Sequence, residues 1–188
     1  MEEKQLEGLI KRSIRKLYND DLFLIKNDVN ERSISLKLAS YIQYKINRLE
    51  KYWNVDCEYN RIGKDEIITK RFSNKDFITK AKELLGNSEE TLTSTKAISI
   101  FPDINIHHRG LTGSENNLLV IEIKKEERLD LKNKFIKYDF LKLDQYCNEL
   151  NYQFGVFLNI NSIETTGFWW ENGEKRENLI TFYQKGTR

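Results

Sequence analysis

Asp103, Glu122 and Lys124 are the side chains of this sequence whose types and spacing could do chemistry. Glu122 and Lys124 stand two residues apart, so on a β-strand they share one face. Glu122 follows the apolar run Leu118-Leu119-Val120-Ile121. A carboxylate left unpaired in such a run is costly, so a cation, a lysine or a proton must accompany it. Asp103 comes earlier, on a segment with its own strand pattern. If a hairpin aligns the two segments, the three side chains converge. Two carboxylates offer hard oxygen ligands to magnesium, for which manganese can substitute, and the Ile123 carbonyl could add a third ligand. Such an ion polarises a phosphate and lowers the pKa of an attacking water, while a lysine orients that water or steadies the developing charge. The chemistry that such a trio would suit is phosphodiester hydrolysis.

The spacing alone is not specific. An acidic residue, any residue and a lysine also occur at Glu2-Glu3-Lys4 and Asp130-Leu131-Lys132. Neither of those lies in an apolar strand or follows a Pro-Asp strand, and that context singles out Glu122. The bland alternative is a surface Glu–Lys pair together with an Asp after the only proline, Pro102.

The elements that must position these residues can be read from periodicity. Residues 2–18 predict a helix with the stripe Leu6, Leu9, Ile10, Ser13, Ile14 and Leu17. A connection with Leu22, Phe23, Leu24 and Ile25 packed inward follows. A second helix is expected from 31 to about 52, with Asn30 as its N-cap and Ile34, Leu38, Tyr41, Ile42 and Leu49 inward. Glu31 begins that core-facing stripe. Strands are expected at 55–61, 98–109, 117–125 and 154–160, and helices at 73–85, ended by Gly86, and 138–152. On 98–109 the residues Ile98, Ile100, Pro102, Ile104 and Ile106 alternate with Ser99, Phe101, Asp103, Asn105 and His107. The strand at 117–125 reads as buried on both faces and hairpinned to its predecessor. A right-handed crossover through the later helix makes strand 154–160 its parallel neighbour. Residues 64–96 read as an insertion. In the tail, residues 168–170 and 179–183 flank the turn dipeptide Asn172-Gly173 as a second hairpin.

The bulk numbers agree with one domain over 1–188. Hydrophobic residues make up 39% and charged residues 32%, with a net charge of +2, which excludes a strongly basic nucleic-acid coat. Basic residues still cluster at Lys11, Arg12, Arg15 and Lys16, at Lys70, Arg71 and Lys75, and at Lys132, Lys134 and Lys137. No apolar run reaches membrane-span length. The charged first ten residues lack a signal-peptide core, and the expected location is the cytoplasm. Cys57 and Cys147 have no partners at zinc-ligand spacing and read as buried, reduced thiols.

Pro102-Asp103, eighteen intervening residues, then Glu122-Ile123-Lys124 resembles the signature of the PD-(D/E)XK nuclease superfamily. So does the order of helix, three strands, helix and strand over about 30–160. The resemblance implies an α/β, restriction endonuclease-like fold: a central mixed sheet of four to five strands flanked by helices (αβββαβ). An N-terminal helix, the insertion near 64–96 and the C-terminal hairpin are added to that core. It implies Asp103 and Glu122 as ligands of Mg2+, Lys124 as the catalytic lysine and Glu31 as a further active-site carboxylate. Nucleic acid, DNA first, is the implied partner, with pairing of two copies and a place in a defence or repair complex.

Other residues carry competing readings. Glu31 is equally well a favourable charge in a helix's first turn. His107, four residues after Asp103 on the same face, either reaches a phosphate or metal-bound water or is an exposed strand-end histidine. Glu58 either approaches the metal or sits on an exposed strand face. Gln145 lies where some superfamily members carry a polar residue, or is a surface glutamine. Of Trp169 and Trp170, one is expected in the core and the other exposed, where it could stack on a base. At the level of the whole chain, the alternative to an enzyme is an inactive nuclease-fold module that binds nucleic acid or a protein. An accidental motif, the third reading, would leave Asp103 and Glu122 far apart.

Overall fold

The stripe from Leu6 to Leu17 folds as helix α1 (Glu3–Asp20), with all six of its expected residues buried. The computed structural model describes residues 1–27, 29–49, 52–62, 68–86 and 98–186. The connection after α1 is itself a short helix, α2 (Leu22–Lys26). It buries Ile25 but leaves Phe23 70% exposed, because five residues of helix cannot turn four apolar side chains the same way. Helix α3 (Glu31–Asn47) starts where expected, with the Asn30 side chain accepting from the Ser33 N–H at 3.1 Å. It ends five residues short of the expectation. The Leu49 N–H closes a tight turn onto the Ile46 carbonyl, so Leu49 is exposed and Ala39 and Ile46 complete the buried stripe.

Strand β1 (Asn54–Asp56) is shorter than its pattern. Glu58 adopts φ 50°, and its N–H turns to the Pro102 carbonyl at 2.9 Å, which ends regular pairing. Strand β2 (Arg61–Ile62) precedes the insertion, which contains β3 (Ile68–Thr69), β4 (Arg71–Phe72) and α4 (Lys75–Leu85). Asn74 caps α4, and Gly86, at φ 81°, ends it. The parts of the expected insertion at 64–67 and 87–96 lie outside the described residues. The expected strand 98–109 is two strands, β5 (Ile98–Ser99), which pairs β4, and β6 (Ile104–His107). The break falls at Pro102, which has no N–H for a ladder. It also breaks the alternation, since Ile100 packs on one side of the main sheet and Ile104 and Ile106 on the other.

Next come β7 (Asn117–Lys124), α5 (Lys134–Asn148), β8 (Phe154–Ile160), β9 (Glu164–Glu171), β10 (Glu174–Lys175) and β11 (Ile180–Gln184). Helix α5 begins four residues before its expected start, capped by the Asn133 side chain. The fold is α/β, with helices on both faces of a mixed sheet. Among the described residues that sheet has seven strands in the order β1-β6-β7-β8-β9-β10, with β11 also on β9. Strands β6 and β7 form the expected antiparallel hairpin, and β7 and β8 run parallel across the α5 crossover. The sheet exceeds the expected four to five strands because the tail extends it. Strand β9 pairs with β8 from Thr165 to Glu171, and β10 and β11 line its far edge. The Asn172-Gly173 turn, with φ 52° and 81°, joins β9 to β10, and β11 pairs further along β9.

Helices α1 and α3 cover one face over Ile104, Ile106, Leu119, Ile121 and Ile123; α4 and α5 cover the other over Val120, Phe157 and Trp170. Both faces of β9 are therefore covered. Trp169 and Trp170 are each buried, on opposite faces, contrary to the expectation that one would be exposed. Gly167 is needed for the close pairing of β8 and β9, since a Cβ there would lie 1.9 Å from the Phe157 carbonyl oxygen. Gly167→Ala is expected to lower stability by at least about 1–3 kcal/mol, read from the midpoint of urea unfolding. No helix among the described residues is long and apolar enough to cross a membrane.

Candidate active site

The β6–β7 hairpin brings Asp103 to Glu122. Asp103 stands just before β6, and its Oδ2 accepts from the Ile123 N–H at 2.7 Å. On β7, Ile121 and Ile123 enter the α1/α3 side, while Val120 and Glu122 enter the α5 side. Lys124 shares the Glu122 face and meets α5 there. Its ammonium lies 3.3 Å from Glu31 Oε2 and 3.2 Å from Asp139 Oδ2. Glu31 also accepts from the Lys125 N–H at 3.0 Å, so the first turn of α3 is tied to the end of β7. Three of the expected residues thus meet, and Glu31 joins them through Lys124.

Two members of the cluster went unread in the sequence, Asp139 and Lys142 on α5. The Lys142 ammonium bonds Glu122 Oε2 at 2.7 Å and Asp139 Oδ1 at 2.8 Å. The signal for Asp139 was present. Ile136, Asp139, Leu143 and Tyr146 have the 3-4-3 spacing of a core-facing stripe, and all four are buried.

Burial holds the Glu122 carboxyl well above the usual carboxylate range; Lys142 opposes that shift, and Asp103 and Asp139 add to it. Burial likewise raises Asp103, against Lys142 and the Ile123 N–H. For Lys142, desolvation favours the neutral amine, but Glu122, Asp139 and Asp103 outweigh it and raise its pKa. Lys124 is raised in the same way by Asp139 and Glu31 against its own desolvation. Glu122 is 1% exposed. The Tyr146 hydroxyl faces it closely enough for the carboxylate to hold its proton, yet neither that hydroxyl nor Glu122 Oε1 completes a hydrogen bond of good geometry.

As the cluster stands, no three carboxylate, imidazole or thiol groups among the described residues surround one point at metal-ligand distance. The ammonium of Lys142 stands between Glu122 and Asp139. The donor chemistry nevertheless fits a hard cation. Glu122 Oε1 is a buried carboxylate oxygen that completes no hydrogen bond of good geometry, and four carboxylates face only two ammonium groups.

The expected accessory residues lie elsewhere, except Glu58. Glu58 pairs with Arg32 at 2.7 Å, and both line a cleft of about 190 Å³ with Ser35, Leu36, Cys57 and Asp103. Cys57 is half-buried rather than buried; desolvation, then Asp103, push its thiol up to about 12 and leave it unreactive. Gln145 lines a different surface hollow with Ser73, Asn74, Asn148 and Glu149. His107 is buried, neither exposed nor in the cluster, because β1 pairs alongside β6 and covers it. Its Nε2 lies 3.0 Å from Asp56 Oδ2, and Arg109 holds the same carboxylate.

Beside His107 is a buried amine. Lys70 is 2% exposed and bonds the Tyr152 hydroxyl at 2.8 Å, and burial lowers its pKa to about 8. Because the unfolded value lies near 10.5, the unfolded chain binds the extra proton between those values. Stability contributed at this site therefore rises with pH from about 8 to 10.5. Lys70→Met is expected to raise stability at pH 7 by about 1–3 kcal/mol and to abolish that rise, measured by urea unfolding across pH.

Compared with models of known protein families, with curated proteins and with solved structures, the chain finds no match in any of the three.

Proposed function

We propose that the chain is a metal-dependent nuclease that hydrolyses phosphodiester bonds of nucleic acid, DNA first, with a site and fold of the PD-(D/E)XK type. The observation that carries this reading is the gathering of Asp103, the buried Glu122 and Lys124 in one cluster with an excess of carboxylates. Glu31, Asp103, Glu122 and Asp139 face Lys124 and Lys142. With every group ionised the cluster is two negative charges in excess, which one divalent cation neutralises. The order α3, β1, β6, β7, α5 and β8 supports the same superfamily's core.

Asp103, Glu122 and the Ile123 carbonyl would hold magnesium, which when bound polarises the phosphate and lowers the pKa of the attacking water. The Ile123 N–H fixes the Asp103 carboxylate against the strand. Lys124 keeps its proton and presents it to the water or to the phosphoryl oxygen, while Glu31 and Asp139 set the position of its ammonium. The cleft lined by Asp103 and Arg32 offers a phosphate its approach.

One observation favours the second reading, an inactive module of the same fold that binds nucleic acid or a protein. Lys142 already compensates Glu122 and Asp139, so the buried charges have an internal counter-ion. The two readings separate in one assay. Purified protein is incubated with single- and double-stranded DNA and RNA and magnesium or manganese, beside Asp103→Ala and Lys124→Ala. The nuclease reading expects metal-dependent cutting by the wild type alone. Cutting that survives in both variants would overturn the site assignment, and no cutting of any substrate would favour the module.

A further inference from the structure

Lys142 is placed as an ion would be. It bonds one oxygen each of Glu122 and Asp139, at 2.7 and 2.8 Å. Asp103 also acts on it electrostatically. The other Glu122 oxygen, Oε1, is buried and completes no hydrogen bond of good geometry, with only the Tyr146 hydroxyl facing the carboxylate there, so the carboxylate is incompletely satisfied. A dication bound to that oxygen would sit within a few ångströms of the ammonium, and the two positive charges would repel in a poorly screened interior. The lysine has a way out. Its side chain is 14% exposed, its four-carbon stem is flexible, and its ammonium lies 5.5 Å from the centre of the Tyr138 ring.

We infer that Lys142 is a built-in occupant of the cation seat, and that a divalent ion and the Lys142 ammonium exclude one another there. The inference rests on the metal-dependent reading above and deepens it. Lys142 keeps the carboxylates folded together before the ion arrives. Ion entry then requires the ammonium to swing away, which weakens the apparent affinity for metal. Lys124 differs, because its ammonium bonds Glu31 and Asp139 and makes no bond to Glu122 or Asp103.

Calorimetric titration of manganese into the full chain tests this, comparing wild type, Lys142→Met and Lys124→Met. Each variant removes one positive charge from the cluster, but only the first vacates the seat. Removing an occupant present nine-tenths of the time tightens apparent affinity by about tenfold. The expected result is therefore at least about tenfold tighter binding by Lys142→Met and less than about threefold by Lys124→Met. Equal gains in both variants would reduce the effect to general electrostatics and overturn the inference. Binding by the wild type that is unchanged or weaker in Lys142→Met would overturn the exclusion and leave the seat standing. No manganese binding by any form would overturn the seat itself. If Lys142→Met unfolds without metal, circular dichroism takes over: manganese restoring the fold supports the inference, and failure to restore it overturns it.

Discussion

Lys124→Ala is expected to slow metal-dependent phosphodiester cleavage by about 10²–10³-fold while KM for the substrate stays within about threefold. The size follows from its place. Lys124 shares the Glu122 face of β7, and Glu31 and Asp139 hold its ammonium from two helices. A charge fixed in advance at low dielectric steadies the developing negative charge without reorganising, so its removal acts on the transition state and not on binding. Lys124→Arg is not expected to rescue the rate, because a planar guanidinium cannot take the place of a compact ammonium between those two carboxylates. Single-turnover kinetics at saturating metal reads the effect. A fall in affinity for nucleic acid with an unchanged cleavage step would reassign Lys124 to substrate binding.

The largest effect on stability is expected at Lys142. Lys142→Ala leaves Glu122 without its hydrogen-bonded counter-ion and Asp139 with Lys124 alone, and is expected to cost about 3–5 kcal/mol in the absence of metal. Adding Glu122→Gln to that variant should recover most of the loss, since the charge that needed Lys142 is then gone. A double-mutant cycle by urea unfolding isolates the coupling, which should exceed about 1 kcal/mol for groups in direct contact. Simple additivity would mean that the 2.7 Å contact contributes little to holding α5 on β7.

Glu122 and Lys124 were legible together because period-two alternation is a local rule, and the approach of Asp103 because a hairpin is one, although the alternation through Asp103 itself fails at Pro102. Glu31 was legible because Asn30 marks the start of α3. Both signals survive folding: Asn30 caps the helix, and β6 and β7 pair as a hairpin. Lys142 was illegible, and Asp139 was passed over despite its place in the α5 stripe, because a charged pair three residues apart on a helix normally lies in solvent. Only the packing of α5 over Glu122 buries them, and that contact spans 20 residues. His107 stands apart from the cluster for a similar reason. Its surroundings come from Asp56, 51 residues away on β1. Strand length was overread wherever a single backbone event ended the pairing, at Glu58 with its positive φ and at Pro102 without its N–H. The tail was underread because a hairpin pattern does not reveal that β9 adds to an existing sheet.

The most direct measurement is the anomalous scattering of a crystal grown with manganese. One peak is expected within about 2.5 Å of carboxylate oxygens of both Asp103 and Glu122, with the Lys142 ammonium moved away from Glu122. Crystals that show no peak there, or a peak elsewhere with the Lys142–Glu122 contact intact, would contradict that expectation.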